Sequence, residues 1–214
     1  MITTSLKKLY RRRTAPAIFS SAILLTAVLL LASLASCGTR NTGGNSEEFD
    51  QPAYLPSHAS GFRILGAEGH ESVILESFDP WQGADSMTTR LFIARGGESA
   101  PDGFDGPVLN GEAKRIVAMS STHIAMLDAF GKTDRVKGVS GIDFISNPTI
   151  QSRRDSIGDV GYEGNIDYEL LLALDPDIVL LFSTNGASRM EGKLDELGIP
   201  YAYIGDYLES SPLG

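Results

Sequence analysis

Apolar residues in the second half of the chain, from about residue 114 onward, form short and nearly continuous runs. The longest runs cover residues 115–119 and 177–182, and shorter ones cover 136–139 and 200–204. Runs of this length without alternation predict strands that are covered on both faces. We therefore expect a buried sheet in this part of the chain.

Between these runs, apolar side chains recur at helical spacing over residues 121–131, 167–174 and 190–198. Hydroxyl side chains at 120–122 and glycines at 131 and 198 are typical of helix starts and stops. Strands that alternate with helices of this length predict a parallel sheet with helical crossovers. The fold class is α/β, with a Rossmann-like parallel sheet and flanking helices over residues 113–214.

Residues 61–112 have a different pattern and predict a small antiparallel β extension. Three segments, 62–65, 72–78 and 89–94, are short, apolar or alternating, and separated by Gly, Pro and Asp. Trp81, the only tryptophan, lies in the turn between the last two segments. Residues 96–111 are rich in Gly, Pro and Asp and predict a loop.

The first 36 residues have the three parts of an export signal. Basic residues at positions 7–13 precede an apolar stretch from 17 to about 32, and small residues stand directly before Cys37, the only cysteine. This arrangement resembles a bacterial lipoprotein signal peptide, with lipidation at Cys37. Two alternatives stay open: residues 17–36 are 20 residues, long enough for an uncleaved membrane anchor, and an ordinary secretory signal also fits.

The polar, turn-rich residues 37–60 predict a flexible tether between a lipid anchor and the fold. Five of the 18 basic residues and none of the 27 acidic ones precede Cys37. The chain from Cys37 onward therefore has 13 basic and 27 acidic residues and a net charge of −14. An acidic body of this kind argues against nucleic acid as a partner. Lipidation of Cys37 would also remove the only thiol, which excludes disulfides and cysteine chemistry.

Ligands of parallel sheets gather at the carboxyl ends of the strands. The polar residues that follow the predicted strands lie at 120–123, 141–143, 183–186 and 205–207. From these ends we select as candidate ligand-binding residues Ser121, Thr122, His123, Asp143, Thr184 and Tyr207. The hydroxyls at 120–122 have an alternative role as helix caps, and His123 either faces the cleft or lies on the surface.

Aromatic side chains add further candidates. Tyr162, next to Glu163, could lie against a flat ligand or pack within its own turn. Trp81 could cover the mouth of the site or stack on the ligand, or it could anchor its own hairpin. We include Trp81, Tyr162 and Glu163 among the candidate ligand-binding residues.

The sequence gives little support for catalysis or for a bound cofactor. It has no Gly-x-Ser-x-Gly, Walker or Gly-x-Gly-x-x-Gly motif. Ser121, His123 and Asp128 are a poor triad, because the first two lie on different faces of one helix start. The three histidines, His58, His70 and His123, lack zinc-ligand spacing. We therefore expect a protein that is not an enzyme and that has no metal or cofactor of its own.

Four blocks of sequence, at 115–131, 136–143, 157–181 and 197–214, follow one another in an order that resembles a known family. They are similar to the amino-terminal lobe of helical-backbone periplasmic binding proteins, the ABC-importer receptors for iron-siderophores, haem and vitamin B12. The resemblance implies a lipoprotein outside the cytoplasm that holds an iron chelate or corrinoid between two lobes. It also implies delivery to a permease and its ATPase.

In that family an exposed glutamate on each lobe contacts the permease, and Glu191 is the candidate here. Ser188 competes for the same position, and a solvated helix face is the alternative for Glu191. In relatives, a stretch like 207–214 leads into a long helix and a second lobe. This sequence stops there, so we expect a truncated gene or partial sequence, with a working single lobe as the alternative. The alternative function is a non-transport envelope lipoprotein that binds a protein partner.

Overall fold

A computed structural model describes residues 48–162 and 164–211. The predicted signal peptide, the lipidation site Cys37 and the candidate ligand residue Glu163 lie outside the described residues. None of the helices in the two described ranges is both long enough and apolar enough to span a bilayer.

The first part of the described chain is a five-stranded sheet, which we call the extension. Its strands, in chain order and in sheet order, are β1 (Gln51–Tyr54), β2 (Phe62–Gly66), β3 (Val73–Phe78), β4 (Thr88–Ala94) and β5 (Val108–Asn110). Neighbours from β1 to β4 are antiparallel, whereas β5 runs parallel to β4. Ile74 and Phe92 are fully buried at the centre of the extension core.

The three predicted strands are confirmed as β2, β3 and β4, which pair antiparallel, but the extension is larger than the sequence predicts and its added strand β5 runs parallel to β4. β1 lies inside the predicted tether 37–60, and β5 lies inside the predicted loop 96–111. Every residue of β1 is exposed, and one of them is Pro52, which strands tolerate chiefly at a sheet edge. An exposed edge strand has no apolar alternation to reveal it. β5 has only three residues, too few for a periodic signal.

The second part of the chain, which we call the lobe, contains two sets of strands. In chain order they are β6 (Ile116–Ala118), β7 (Val136–Val139), β8 (Gly158–Asp159), β9 (Gly161–Tyr162), β10 (Asn165–Ile166), β11 (Ile178–Leu181) and β12 (Tyr201–Tyr203). β9 and β10 form an antiparallel hairpin. The other five form one parallel sheet in the order β12-β11-β6-β7-β8.

This strand order confirms the Rossmann-like parallel sheet. The chain moves outward from β6 to β8 and then returns to the other side of β6 through β11 and β12. The direction of travel therefore reverses between β6 and β11. Such a reversal opens a crevice at the carboxyl ends of the two strands, where ligands of α/β sheets bind.

Helices flank the lobe sheet. In the described ranges they are α1 (Ser121–Ala129), α2 (Pro148–Ser152), α3 (Tyr168–Ala173) and α4 (Glu191–Leu197). Side-chain oxygens of Ser120, Asn147 and Asp167 cap the first three. The helical pattern over residues 121–131 predicts that Phe130 belongs to the apolar face of α1. The helix instead ends at Ala129, and Phe130 is 76% exposed.

The lobe sheet has a core on each face. Val117 and Val179 belong to one cluster of buried side chains, whereas their strand neighbour Ala118 packs with Val139 in another. Successive residues of β6 thus point to opposite faces, and both directions are apolar. This is the arrangement that the continuous apolar runs predict.

The extension packs directly on the lobe. A shared cluster of buried side chains joins Leu91 and Leu109 of the extension to Ile116, Ile178 and Ala202 of the lobe. At the β12 edge, the hydroxyl of Ser77 donates a hydrogen bond to the carbonyl of Tyr203 at 3.3 Å. The extension is therefore part of the same packed body as the lobe sheet.

The last described segment also closes onto the extension. The carboxylate of Glu209 accepts backbone N–H bonds from Ser60 at 3.0 Å and Gly61 at 2.8 Å. Partial burial acts to raise the pKa of Glu209, but these hydrogen bonds outweigh that effect and the pKa is lowered. The ionised carboxylate thus links the chain after β12 to the residues before β2.

Trp81 does not lie where either sequence interpretation puts it. Its side chain is only 7% exposed and belongs to the lobe core, where its ring meets Tyr203 edge-on with 5.1 Å between ring centroids. A ligand cannot stack on a ring that is already covered. Nor does Trp81 simply anchor its own hairpin, because its main aromatic partner belongs to the lobe. Its role in this conformation is to join the extension to the lobe.

We predict that Trp81→Ala destabilises the chain by about 3–5 kcal/mol, because it removes a large buried side chain and leaves a cavity. Phe130→Ala is the matched control, since the Phe130 side chain is largely exposed and exposed substitutions change stability by only about 0.5 kcal/mol or less. Urea unfolding followed by circular dichroism measures both. Equal midpoints for the two variants would contradict the packing role.

Candidate binding site at the carboxyl ends of the parallel strands

The turn between β6 and α1 carries the first group of polar side chains. Ser120 is extended and caps α1, with its hydroxyl 3.3 Å from the Thr122 N–H and 2.8 Å from the Thr122 hydroxyl. The capping alternative is therefore correct for Ser120. Ser121 and Thr122 are exposed in the first turn of the helix, where free backbone N–H groups and the helix dipole favour negative charge.

A hydrogen bond connects this turn to the segment after β12. The Thr122 hydroxyl donates to the carboxylate of Asp206 at 3.3 Å. The Ser120 hydroxyl can then donate to Thr122, so that three side chains form one chain of hydrogen bonds. The ends of β6 and β12, which lie on either side of β11, are joined in this way.

Tyr207 holds the same edge together from the other side. Its hydroxyl donates to the Ser183 carbonyl at 2.6 Å and accepts the Gln82 N–H at 3.2 Å. The phenol oxygen is thus engaged with β11 and with the extension, while part of its ring stays exposed. Thr184, the next residue after Ser183, is exposed at this edge.

Two exposed aromatic rings follow the β7 and β8 side of the sheet. Tyr162, on β9, is 60% exposed, and Phe144, in the turn after β7, is 82% exposed. Phe144 was not among the sequence candidates, although its neighbour Asp143 was. The Asp143 carboxylate is exposed and forms a 2.7 Å ion pair with Arg154. Exposed rings at this edge offer apolar surface to a flat ligand.

Asp159, at the end of β8, positions both of these turns. One oxygen of its carboxylate accepts N–H bonds from Gly141 at 2.9 Å and Gly161 at 3.1 Å, and the other accepts from Ile142 at 3.1 Å. Asp159 was not among the sequence candidates, because the two-residue strand that it ends has no apolar run. A glycine on each side, at 158 and 161, was the available signal.

His123 is fully buried, so both sequence interpretations of it, cleft-facing and surface, are wrong for this conformation. Neither ring nitrogen has a hydrogen bond of normal geometry. Burial lowers the pKa of His123, and the Asp206 charge and the carbonyls of Ile204 and Leu180 oppose this effect only in part. The ring lies beneath the strand ends as an uncharged side chain and does not reach a ligand.

Glu191, the candidate for permease docking, is likewise not a freely exposed carboxylate. It is half-buried and accepts hydrogen bonds from the hydroxyls of Tyr201 at 3.2 Å and Tyr203 at 2.9 Å. The competing candidate, Ser188, is buried, with its N–H on the Tyr203 hydroxyl at 2.8 Å. The exposed carboxylates of α4 are instead Asp195 and Glu196.

The structure thus brings Ser121, Thr122, Thr184 and Tyr207 to one edge of the sheet, with Asp206 among them. Asp143 and Tyr162 lie further along the same edge, toward β8. Trp81 and His123 are buried, and Glu191 lies elsewhere. In the described ranges, no three His, Cys, Asp or Glu side chains come close enough together to hold a metal ion. The edge offers hydroxyls, a capped helix start and aromatic rings, which suit binding.

Residues 116–201 match a family model described as periplasmic binding protein. Over these residues the chain is similar to the periplasmic binding protein family. The match begins at the first residue of β6 and ends at the first residue of β12, so it covers the parallel sheet and the connections that carry most of the site. The family resemblance inferred from the sequence blocks is confirmed.

Curated relatives occur in Methanocaldococcus jannaschii. An uncharacterized lipoprotein, MJ0878, is 29% identical over 115 residues, which are 50% of this chain and 28% of the relative. A second one, MJ0872, is 29% identical over 140 residues, or 61% of this chain and 35% of the relative. The chain spans about a third or less of the length of the curated relatives it matches.

Solved structures give partial matches. A periplasmic heme binding protein from Pseudomonas aeruginosa has 22% identity and a TM-score of 0.36, with 42% of this chain and 31% of that chain covered. The periplasmic vitamin B12 binding protein of Vibrio cholerae has 24% identity and a TM-score of 0.35, with 42% and 33% covered.

The buried His123 predicts a loss of stability in mild acid. Its pKa is lowered on folding, so the unfolded chain binds the proton more tightly, and stability falls as the pH drops below the ordinary value of 6.5. The loss approaches about 1.4 kcal/mol per pH unit. Urea midpoints between about pH 7 and pH 5 measure it.

His123→Met, which fills a similar volume without a titratable group, should remove most of this acid dependence and keep stability at neutral pH. His58→Gln is the control, since His58 is exposed and its loss should leave the dependence intact. An unchanged slope in His123→Met would show that another group causes the acid sensitivity.

Proposed function

We propose that this chain supplies the amino-terminal lobe of a lipid-anchored solute-binding protein for an ABC importer. The observation that carries the proposal is the family match over residues 116–201, from the start of β6 to the first residue of β12. The predicted signal and lipidation site at Cys37 support a position outside the cytoplasm. The description of two relatives as lipoproteins supports the same position.

The proposed ligand is an iron chelate, either a siderophore or haem, or else cobalamin. The names of the solved proteins that match in part mention haem, vitamin B12 and ferric hydroxamate. Ligands of this class are large, carry oxygen-rich or acidic groups, and often have flat apolar surfaces. The site offers complementary groups, namely the start of α1 for negative charge and exposed rings for flat surfaces.

Within this proposal the roles divide along the sheet edge. Ser121 presents its hydroxyl and backbone N–H group to polar ligand atoms, Thr122 is held beside it by Ser120 and Asp206, and Thr184 and the ring of Tyr207 lie next to them. Tyr162, with Glu163 next to it, and Phe144 form the aromatic end. Asp143 is held by Arg154 and contributes less. Binding involves no change in the covalent structure of the ligand.

A sheet edge covers only one side of a ligand, whereas binding clefts bury most of the ligand surface. We therefore propose that a further lobe supplies the opposite wall. Permease and ATPase are the proposed recipients of the ligand. Because Glu191 is engaged with two tyrosines and Glu196 pairs with Lys193 at 2.7 Å, Asp195 of the same helix replaces Glu191 as the proposed contact for the permease.

Titration of the chain with haem, a ferric hydroxamate siderophore and cobalamin tests the ligand proposal, followed by absorbance and calorimetry. We expect binding of one class. Tyr162→Ala should weaken it by roughly tenfold, because a stacked ring contributes about 1–1.5 kcal/mol. Tyr54→Ala is the matched control, since Tyr54 is similarly exposed but lies on β1 of the extension. Equal affinities for the two variants, or no response to any class, would contradict the proposal.

A further inference from the structure

One cavity in the described part of the chain lies away from the strand ends. It is a cleft of about 710 Å³ between the extension and the outer edge of the lobe. Its walls come from β3 and β4, from the turn before β5, and from α4 and β12. None of the residues assigned above to the strand-end site lines this cleft. Its volume falls in the range of small-molecule sites.

The cleft has fixed walls. The extension and the lobe share a buried cluster that includes Leu91 and Ala202, and both of these residues also line the cleft. The Ser77 hydroxyl, at the same boundary, bonds to the Tyr203 carbonyl. The two sheets that form the cleft therefore hold one another in place, and the space between them is a standing feature of this fold.

The charge in the cleft is negative. Its lining includes the carboxylates of Asp105, Glu191 and Asp195, and the only basic side chain among its lining residues is Arg90. Arg90 already has partners, with its Nε 3.2 Å from a Glu76 oxygen and its guanidinium 5.3 Å from the ring centroid of Phe104. Glu76 also pairs with Arg63 at 2.7 Å, so Arg90 keeps part of its charge, but three carboxylates against one guanidinium leave the cleft with an excess of negative charge.

Glu191 is oriented for a further contact. The hydroxyls of Tyr201 and Tyr203 occupy one acceptor position on each of its two oxygens, whereas a carboxylate has about four such positions. Burial raises the pKa of Tyr201, and the charges of Glu191 and Asp195 raise it further, so the phenol stays a hydrogen-bond donor. The carboxylate is fixed in direction and keeps capacity for a donor from a ligand.

The remaining walls are apolar. Leu75, Leu91, Leu194 and Ile199 line the cleft together with the carboxylates. A ligand that matches this lining has cationic groups for the carboxylates and a hydrocarbon portion for the apolar side chains. We propose that the cleft is a second binding site, which takes a small organic cation with one or two ammonium groups on a short hydrocarbon stem. This site is independent of the proposed transport ligand.

Calorimetric titration of the full chain with hexamethylenediamine tests the proposal, and hexanediol serves as the neutral probe with the same stem. We expect saturable binding of the diamine and none of the diol. Asp195→Asn and Glu191→Gln should each weaken the diamine by roughly tenfold or more, because each removes a charge-assisted contact. Asp195 is exposed, so its variant keeps the fold even if Glu191→Gln loosens the tyrosines.

Asp155→Asn is the control, because it removes an exposed carboxylate outside the cleft. It should bind the diamine as the unmodified chain does. The proposal is overturned if Asp195→Asn and Asp155→Asn bind equally, since general attraction to an acidic protein would explain that result. It is also overturned if the diol binds as well as the diamine, or if the diamine does not saturate. Failure here leaves the haem, siderophore and cobalamin titrations unaffected.

Discussion

The contacts of Tyr203 hold the molecule together. This residue ends β12, the outer strand of the lobe sheet, and its side chain is almost fully buried. Its ring packs on Trp81 from the extension, its carbonyl accepts the Ser77 hydroxyl, and its own hydroxyl joins Ser188 to Glu191. Asp206 of the strand-end site follows three residues later in the chain. The Tyr203 side chain also borders the cleft. The proposed strand-end site and the proposed cleft therefore both depend on the position of this one aromatic residue.

The sequence predicted those strands that are buried on both faces of a sheet. Val117 and Ala118 face opposite cores, and a strand that is apolar on both faces is visible as a continuous run. It was uninformative where structure depends on pairing alone. β1 has four exposed residues, and its pairing with β2 places it in the sheet. The local sequence of β1 does not reveal this pairing, because backbone hydrogen bonds between strands can form with almost any side chains.

The site shows the same division. The positions of Ser120 and Thr122 followed from strand order and helix capping, which are local properties of the chain. The burial of His123 did not, because it depends on distant parts of the chain, namely Leu180 of β11 and Ile204 and Asp206 after β12. Glu191 is a similar case, since its carboxylate meets tyrosines that come 10 and 12 residues later. Sequence reasoning can place a side chain at an edge, but tertiary contacts decide whether it is free.

Asp159 holds two separate turns of the chain. One carboxylate fixes the turn that carries Phe144 and the hairpin that carries Tyr162, and α2 and β8 lie between these two segments in the chain. The two turns therefore share one anchor, and a substitution of Asp159 would release both of them together.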